Sequence, residues 1–403
     1  MKRKDWGKID LKESKIIERK IEFDPTNIKG FLQSQYKFRY NVITGVVELF
    51  KDGKFIRLDD RQFHSILQHV KDSGGKISEN GLNSILQSNF VPSFHPFREF
   101  FYSLPDHDLE NDPDYILQLS ETVQTTNDAY WEKCLRKWMV AAVGCAINDN
   151  IENQVVLILK AIQGIGKSTW LLKLLPFQLD DYVYSGILNP TDKDTMSHLA
   201  ECFLINLDEL ESLTKYKEAA LKEIITKSSI RIRRPYSRFA ENMTRHASFT
   251  GSVNHTNILH DSTGSRRFLI HEALDIDYQH DVDIDKAWAQ AYKLFKEGFR
   301  FYFDADEIKE VNKENSSFEV ASTEEELLLQ HFEPIENPTS GDVKYTATEI
   351  LKIIYDDKLP SNTRSASTTL GQALSKHGFN YVMIKGAKKY YASLKSPHEN
   401  IFD

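Results

Sequence analysis

The chain has 403 residues, of which 40% are apolar and 27% are charged, a composition typical of a globular protein with two or three domains. No apolar run reaches the roughly 18 residues that a membrane-spanning helix needs, and the charged N-terminus lacks the apolar core of a secretion signal, so we expect a cytoplasmic protein without a membrane partner. The formal net charge of −8 does not exclude nucleic acid, because basic residues can be concentrated in one place.

The cysteine content also indicates a cytoplasmic protein. The three cysteines, Cys134, Cys145 and Cys202, lack C-x-x-C spacing and cannot form a closed set of disulfides. We therefore expect reduced core thiols rather than a metal site.

Residues 1–150 are predicted to form a mainly helical domain that contains a small β-hairpin. The first 24 residues are a charged lead-in, either helical or loosely ordered. Between residues 36 and 58, β-rich runs are separated by Thr44-Gly45 and Asp52-Gly53, pairs that are typical of tight hairpin turns. Helices are expected over residues 59–71, 78–88 and 112–148, with Ser78 as the N-cap of the second.

Residues 151–304 are predicted to form a core in which helices cover a parallel sheet. Apolar runs at 155–159 and 202–207, and a β-rich run at 247–251, alternate with helical segments, which is the pattern of an α/β fold. The polar stretch 304–322 that follows is predicted to be a linker or an exposed loop.

Residues 323–403 are predicted to form a small winged-helix-like domain. Three helices and then a hairpin that turns near Lys385-Gly386 are expected over residues 324–332, 346–355, 367–377 and 381–394. DNA contact by the basic residues of the third helix and the hairpin is one interpretation, and a helical cap with a solvated face is the other. These basic residues are Lys376, His377, Lys385, Lys388 and Lys389.

The most informative motif is a glycine-containing loop between an apolar run and an amphipathic stretch, Gln163-Gly164-Ile165-Gly166-Lys167-Ser168-Thr169. Glycines let backbone N–H groups close around a phosphate, and the helix that follows points its positive end at the same charge. Lys167 is expected to reach the β- and γ-phosphates, and Ser168 to hold Mg²⁺. The sequence therefore predicts a nucleoside triphosphate site. Ala161 stands where the pattern G-x-x-x-x-G-K-S/T has its first glycine, so the entry turn is expected to differ.

Two further strand ends carry polar residues suited to hydrolysis. Asp208 and Glu209 follow the apolar run 202–207, where Asp208 would anchor Mg²⁺ and Glu209 would orient and deprotonate the attacking water. A helix-capping acidic pair is the alternative. Asn254 ends the next strand and can hold a water without ionising. The acidic pair favours an ATPase that does mechanical work over a phosphotransferase.

Arginines form two candidate sites. Arg266 and Arg267 follow a turn, and an arginine delivered to a γ-phosphate by a neighbouring subunit would stabilise the transition state. The alternative is that these arginines are surface residues on a strand edge.

The second candidate site is the basic segment, residues 222–238, which has six basic residues and one acidic residue. Guanidinium groups with an interleaved tyrosine suit single-stranded DNA, through phosphate contacts and base stacking. Pairing with acids of a neighbouring subunit, or contact with the nucleotide, is the alternative. The candidate DNA-binding residues are Arg231, Arg233, Arg234, Tyr236 and Arg238.

Together these motifs resemble, in this order, the virulence-associated protein E family of phages and integrated mobile elements. Upstream, Tyr40-Asn41-Val42-Ile43-Thr44 and Pro96-Phe97-Arg98-Glu99 belong to the same resemblance, which covers about residues 36 to 300. That family is similar to superfamily 3 and AAA+ helicases of primase-helicase type. The resemblance implies a P-loop NTPase core of AAA+ type with ATP and Mg²⁺ as cofactors, and a ring-shaped homo-oligomer, a hexamer, with the basic segment lining its pore.

By the same resemblance, Lys167 and Ser168 bind ATP and Mg²⁺, Asp208 and Glu209 form the second acidic motif, and Asn254 is the sensor. Arg266 or Arg267 is the arginine that acts in trans. Relatives often carry a primase domain ahead of this region. Because the resemblance begins near Tyr36, we expect priming to come from a separate partner.

The expected function is that of an ATP-dependent replicative DNA helicase of a phage or mobile element, translocating on single-stranded DNA. The alternative is an ATP-gated DNA-binding regulator that unwinds nothing. A phosphotransferase is less favoured because of the acidic pair. A GTPase is less favoured because the sequence has no Asn-Lys-x-Asp motif.

Overall fold

A computed structural model describes residues 27–189, 192–208, 210, 215–234, 239–255, 258–259, 264–339 and 341–395, with only the backbone of residues 193, 194 and 215. The chain divides into two compact units, the first ending at Tyr102 and the second beginning at Ser103. The boundary near residue 150 that the sequence predicted therefore falls inside the second unit. The predicted lead-in, residues 1–24, lies outside the described residues.

The first unit is a four-stranded sheet with helices. Its sheet has the order β3-β2-β1-β4, in which β1 pairs antiparallel with β2 and parallel with β4. Its elements are α1 Ile28–Gln35, β1 Phe38–Asn41, β2 Val46–Lys51, β3 Lys54–Arg57, α2 Asp60–Asp72, α3 Glu79–Leu86, β4 Ser93–Phe94 and α4 Pro96–Ser103.

The turns and caps predicted for this unit are confirmed. Thr44-Gly45 joins β1 to β2, and Asp52-Gly53 joins β2 to β3. The hydroxyl of Ser78 accepts a hydrogen bond from the N–H of Gly81 and caps α3. Asn41, part of the upstream motif, accepts hydrogen bonds from the N–H groups of Ile43 (3.0 Å) and Thr44 (3.2 Å) and thereby shapes the first turn.

The second unit contains a six-stranded sheet of order β5-β12-β6-β11-β8-β7, with all pairs parallel except β5 with β12. The three strands predicted for the core are present as β6, β8 and β11. The elements up to the end of the sheet are α5 Tyr115–Ser120, β5 Val123–Thr125, α6 Asp128–Ile147, β6 Val156–Lys160, α7 Lys167–Lys173, β7 Val183–Gly186, α8 Lys193–Glu201, β8 Leu204–Leu207, α9 Lys215–Ile225, β9 Ser229–Ile232, β10 Glu241–Thr244, β11 Ser248–Val253 and β12 Phe268–Ile276.

The prediction of continuous helix over residues 112–148 is wrong. A strand, β5, separates α5 from α6 and pairs with the end of β12, Val123 opposite Ile276. The segment from Thr122 to Thr126 is rich in β-branched residues, which fit a sheet edge better than a helix.

The predicted linker at 304–322 is also wrong, since most of it is helix α11 Ala305–Asn315. Asp304 and Glu307 form a capping box at its start, a signal that was readable in the sequence. The buried amide of Asn315 donates hydrogen bonds to the carbonyls of Ser265 (2.9 Å) and Phe268 (2.8 Å) and fastens the helix to the start of β12.

The remaining elements of the second unit include the three helices and the hairpin predicted near the C-terminus. Two additional short strands, β13 and β14, pair with the hairpin strand β16. These elements are α10 Ile284–Lys296, α12 Thr323–His331, β13 Phe332–Pro334, β14 Lys344–Tyr345, α13 Ala347–Ile354, α14 Thr363–Lys376, β15 Tyr381–Ile384 and β16 Ala387–Leu394. Among the described residues, no helix combines the length and the apolar character needed to cross a bilayer.

Candidate functional site

Three of the predicted motifs meet at one edge of the parallel sheet. The glycine loop follows β6, Asn254 follows β11 and Asp208 follows β8. In the sheet, β11 lies between β6 and β8 and is parallel to both. Because the carboxyl ends of parallel strands share one edge, the amide of Asn254 stands between the glycine loop and the carboxylate of Asp208.

The glycine loop depends on two left-handed residues, Gly164 with φ 87° and Gly166 with φ 100°. Two features exclude a side chain at Gly166. One is its left-handed backbone, and the other is that a Cβ would lie 2.3 Å from Cδ1 of Tyr278. Ala161 lies outside the left-handed region, and its N–H donates to the carbonyl of Val253 at 3.2 Å. An L-residue is therefore tolerated at the entry turn, where the common pattern has glycine.

Lys167 is 7% exposed, and its ammonium lies against the residues that lead into the loop. Its Nζ donates to the carbonyl oxygens of Ala161 (2.8 Å) and Ile162 (2.9 Å) and to Oδ1 of Asn254 (2.9 Å). The predicted phosphate ligand and the predicted sensor amide are thus in direct contact. Next to them, the hydroxyls of Ser168 and Ser252 lie 3.1 Å apart.

Asp208 is held by neighbours on β7 and β8. Its carboxylate accepts hydrogen bonds from the hydroxyl of Ser185 (3.0 Å) and from the amide of Asn206 (2.9 Å). Asn206 is fully buried, and its own Oδ1 accepts a hydrogen bond from Thr250 of β11 at 3.1 Å. This chain of side chains ties three strands together and orients the carboxylate.

Sequence reasoning missed the three residues that support Asp208, namely Ser185, Asn206 and Thr250. Asn206 could have been found, because it is the one polar residue in the apolar run from Phe203 to Leu207. A buried amide in such a run needs polar partners on adjacent strands.

Within the basic segment, Ser229–Ile232 is strand β9, which pairs antiparallel with β10, Glu241–Thr244, as the second strand of a hairpin. Ile230 and Met243 lie on its buried side, whereas Arg231 and Arg233 are exposed, so the predicted alternation is present. Arg234 lies 3.8 Å from Glu241, measured from Nε to Oε2. Glu209, Tyr236 and Arg238, which were also predicted as site residues, lie outside the described residues.

Arg266 and Arg267 lie at the opposite edge of the same sheet. They immediately precede Phe268, which pairs with Val156, the first residue of β6. Burial, and after it the charge of Arg266, lowers the pKa of Arg267. Both arginines line a cavity of about 440 Å³ together with Asn153, Val155 and Tyr302.

Near the C-terminus, two of the predicted DNA-contacting residues are engaged within the unit. Lys376 contacts the carboxylates of Glu319 (3.1 Å) and Glu325 (3.0 Å), and His377 contacts Glu325 (2.7 Å). These pairings fasten the end of α14 to the start of α12.

Fold and site define a mixed α/β protein whose parallel sheet gathers a glycine loop, a lysine, an amide and a carboxylate at its carboxyl edge. The chain belongs to the family with a virulence-associated protein E-like domain, which matches residues 109–320. The resemblance inferred from the motifs is thereby confirmed.

The chain is similar in fold to one solved structure. The apo structure of the NrS-1 C-terminal region (residues 305–718) aligns with a TM-score of 0.50 at 12% identity, covering 92% of this chain and 99% of that one. The A form of the same apo region aligns with a TM-score of 0.47 at 13% identity, over 92% of this chain and 100% of that one. Among curated proteins, no significant match is found.

Proposed function

We propose that this chain is a Mg²⁺-dependent ATPase with a P-loop core of AAA+ type, which works as a ring-shaped helicase on single-stranded DNA. The observation that carries the proposal is the meeting of Lys167, Asn254 and the Asp208 strand at one sheet edge. Hydrolysis needs the group that binds the phosphate and the group that holds the attacking water to be neighbours. The distance of 2.9 Å between Nζ of Lys167 and Oδ1 of Asn254 supports the proposal.

In the proposed ATPase, different residues would bind the phosphates, the Mg²⁺ ion and the attacking water. The N–H groups of the loop and the ammonium of Lys167 would hold the β- and γ-phosphates. The hydroxyl of Ser168 and the carboxylate of Asp208 are oxygen ligands of the kind that Mg²⁺ prefers, and the bound ion would neutralise charge on the phosphates. The amide of Asn254 would hold the attacking water, which Glu209 would deprotonate.

The arginine pair supports an oligomer. Within one chain, Arg266 and Arg267 are separated from the glycine loop by the length of β6, roughly 15 Å at about 3.3 Å per residue. They would therefore act on a nucleotide held by the adjacent subunit, where an arginine stabilises charge that develops on the γ-phosphate. A head-to-tail contact of this kind closes into a ring, in our proposal a hexamer.

The hairpin β9–β10 supports single-stranded DNA as the polymer along which the protein moves. Arg231 and Arg233 project from its exposed side, and guanidinium groups on such a protrusion can follow the phosphates of a single strand. Membership of the virulence-associated protein E-like family supports a role in replication of a phage or mobile element.

The test is ATP hydrolysis with and without oligo-dT. We expect Lys167→Ala to lower the hydrolysis rate about 100-fold or more, because the main cation at the phosphates is lost. Arg231→Ala combined with Arg233→Ala should leave basal hydrolysis intact and abolish its stimulation by DNA. Lys286→Ala with Lys309→Ala removes the same charge elsewhere and should change neither rate. Full stimulation of the hairpin variant would refute the role of the hairpin.

A second candidate function, an ATP-gated DNA-binding regulator, is favoured by the basic hairpin β15–β16. Lys385, Lys388 and Lys389 lie on this hairpin, whereas Lys376 is engaged with acids. A strand-displacement assay separates the candidates, because a regulator would hydrolyse ATP and bind duplex DNA without releasing a strand.

A further inference from the structure

Tyr278 is not among the predicted site residues, yet it touches the glycine loop. Its ring lies against Gly166, so closely that a Cβ there would stand 2.3 Å from Cδ1 and 2.8 Å from Cγ. The residue as a whole is nevertheless 39% exposed. An aromatic residue that contacts the loop and stays partly exposed can stack against a flat ligand group.

The turn that carries Tyr278 is held firmly. The N–H of Asp277 donates to the carbonyl of Thr122 at 2.8 Å, and the carboxylate of Asp277 accepts from the N–H of Gln279 at 3.1 Å. Lys173 of α7 donates to the carbonyls of Tyr278 and His280. The backbone that carries the ring is therefore fixed before any ligand binds, which lowers the entropic cost of using Tyr278.

The sheet order tells which end of a nucleotide would reach Tyr278. Asn254 and Asp208, the groups proposed for the γ-phosphate and Mg²⁺, follow β11 and β8, which lie on one side of β6. Tyr278 follows β12, on the other side of β6. A triphosphate that lies along the loop with its γ-phosphate at Asn254 directs its other end, the nucleoside, towards Tyr278.

We propose that Tyr278 is the stacking platform for the base of the bound nucleoside triphosphate. This inference rests on the proposed ATPase function and adds the residue that binds the nucleoside. Stacking on an aromatic face accepts any base, so Tyr278 contributes affinity, and choice among bases has to come from other groups.

Calorimetric titration of the full chain with Mg²⁺-ATP and, separately, with Mg²⁺-tripolyphosphate tests the inference. Tyr278→Ala should weaken ATP binding about tenfold, which corresponds to about 1.4 kcal/mol, and leave tripolyphosphate binding unchanged. Tyr278→Phe keeps the aromatic face and should bind ATP like the wild type. Tyr278→Leu keeps a bulky contact with Gly166 but has no aromatic face, and should behave like the alanine variant. Tyr102→Ala, at a tyrosine that is 62% exposed, is the matched control.

Each other outcome has a distinct meaning. If the wild type binds neither ligand, the proposed ATPase function fails. If the wild type binds ATP and Tyr278→Ala binds it equally well, the platform is refuted while the ATPase proposal stands. If Tyr278→Ala loses ATP and tripolyphosphate to the same extent, Tyr278 supports the loop and the platform is likewise refuted.

Discussion

At the scale of single residues, buried polar side chains do the positioning in the second unit. Asn206 orients Asp208, and Asn315 fastens α11 to the start of β12. His271 is different, because it is buried against the rings of Tyr130 and Trp131 and its Nε2 has no hydrogen-bond partner among the described residues. Burial lowers the pKa of His271 from 6.5 to about 3. It is therefore neutral in the folded protein at every pH above that value.

This burial makes stability depend on pH. Below pH 6.5 His271 binds a proton in the unfolded chain but not in the folded chain. The contribution of His271 to the free energy of unfolding is therefore fully present above this pH and is lost progressively as the pH is lowered. At pH 5 the loss is roughly 2 kcal/mol, at about 1.4 kcal/mol per unit below 6.5. His271→Phe should remove this part of the pH dependence, measured as the melting temperature at pH 7.5 and at pH 5.

His331→Phe, at a histidine that is only half-buried, is the control and should keep the wild-type dependence. If His271→Phe melts with the same pH dependence as the wild type, His271 is not the group that titrates.

At the scale of elements, the hairpin β9–β10 is fastened at its base by Arg245. This arginine is fully buried, and it donates to the carbonyls of Ala247 (3.0 Å) and Asn153 (2.6 Å), and also to that of Ile225. Asn153 precedes β6, Ile225 ends α9 and Ala247 immediately precedes β11. One guanidinium therefore joins both ends of the hairpin to the sheet.

Arg245→Lys tests this anchor. A lysine keeps the charge, but it lacks the planar guanidinium with which arginine reaches three separated carbonyls. We expect the free energy of unfolding to fall by roughly 1–3 kcal/mol, the cost of leaving buried acceptors unpaired. Hydrogen exchange should quicken at the amides of β9 and β10 and stay slow in β6 and β11.

Arg300→Lys changes an exposed arginine that pairs with Asp304, and should shift stability by no more than about 0.5 kcal/mol. Unchanged exchange in the hairpin of Arg245→Lys would show that the anchor lies elsewhere.

At the scale of the whole molecule, the two edges of the parallel sheet carry complementary halves of the proposed active site. The glycine loop, Asn254 and Asp208 are at the carboxyl edge, and Arg266 and Arg267 are at the amino edge. One chain cannot bring both halves to the same nucleotide. We therefore expect hydrolysis only where two subunits meet.

Mixing two inactive variants tests this expectation. Lys167→Ala lacks a working loop, and Arg266→Ala with Arg267→Ala lacks the arginines, so each should be inactive alone. In a random 1:1 mixed ring, about one subunit contact in four joins an intact loop to intact arginines, so roughly a quarter of wild-type hydrolysis should return.

A mixture of Lys167→Ala with a variant that carries all three substitutions is the control and should stay inactive. If the two single-site variants fail to complement each other under conditions where their subunits exchange, the arginines do not act in trans.

Sequence reasoning succeeded where the determinant is local. Core strands β6, β8 and β11 were predicted because each is a short run of apolar or β-branched residues between turn signals. Caps and turns such as Ser78 and Asp52-Gly53 were predicted because one or two residues decide them. The two glycines of the loop were expected because a tight backbone loop demands them, and Gly164 and Gly166 are left-handed; that the loop binds a phosphate stays a prediction.

What remained out of reach depends on partners distant in the chain. Strand β5 forms because β12, which follows about 150 residues later, offers it an edge, and α11 is a packed helix because the start of β12 accepts the amide of Asn315. The contact of Tyr278 with Gly166, and the place of Asn254 between Lys167 and Asp208, follow from the order of strands in the sheet. Local chemistry thus determined which residues could act on a phosphate, whereas the packing of the parallel sheet decided which of them meet, because side chains far apart in sequence become neighbours only when their strands pair.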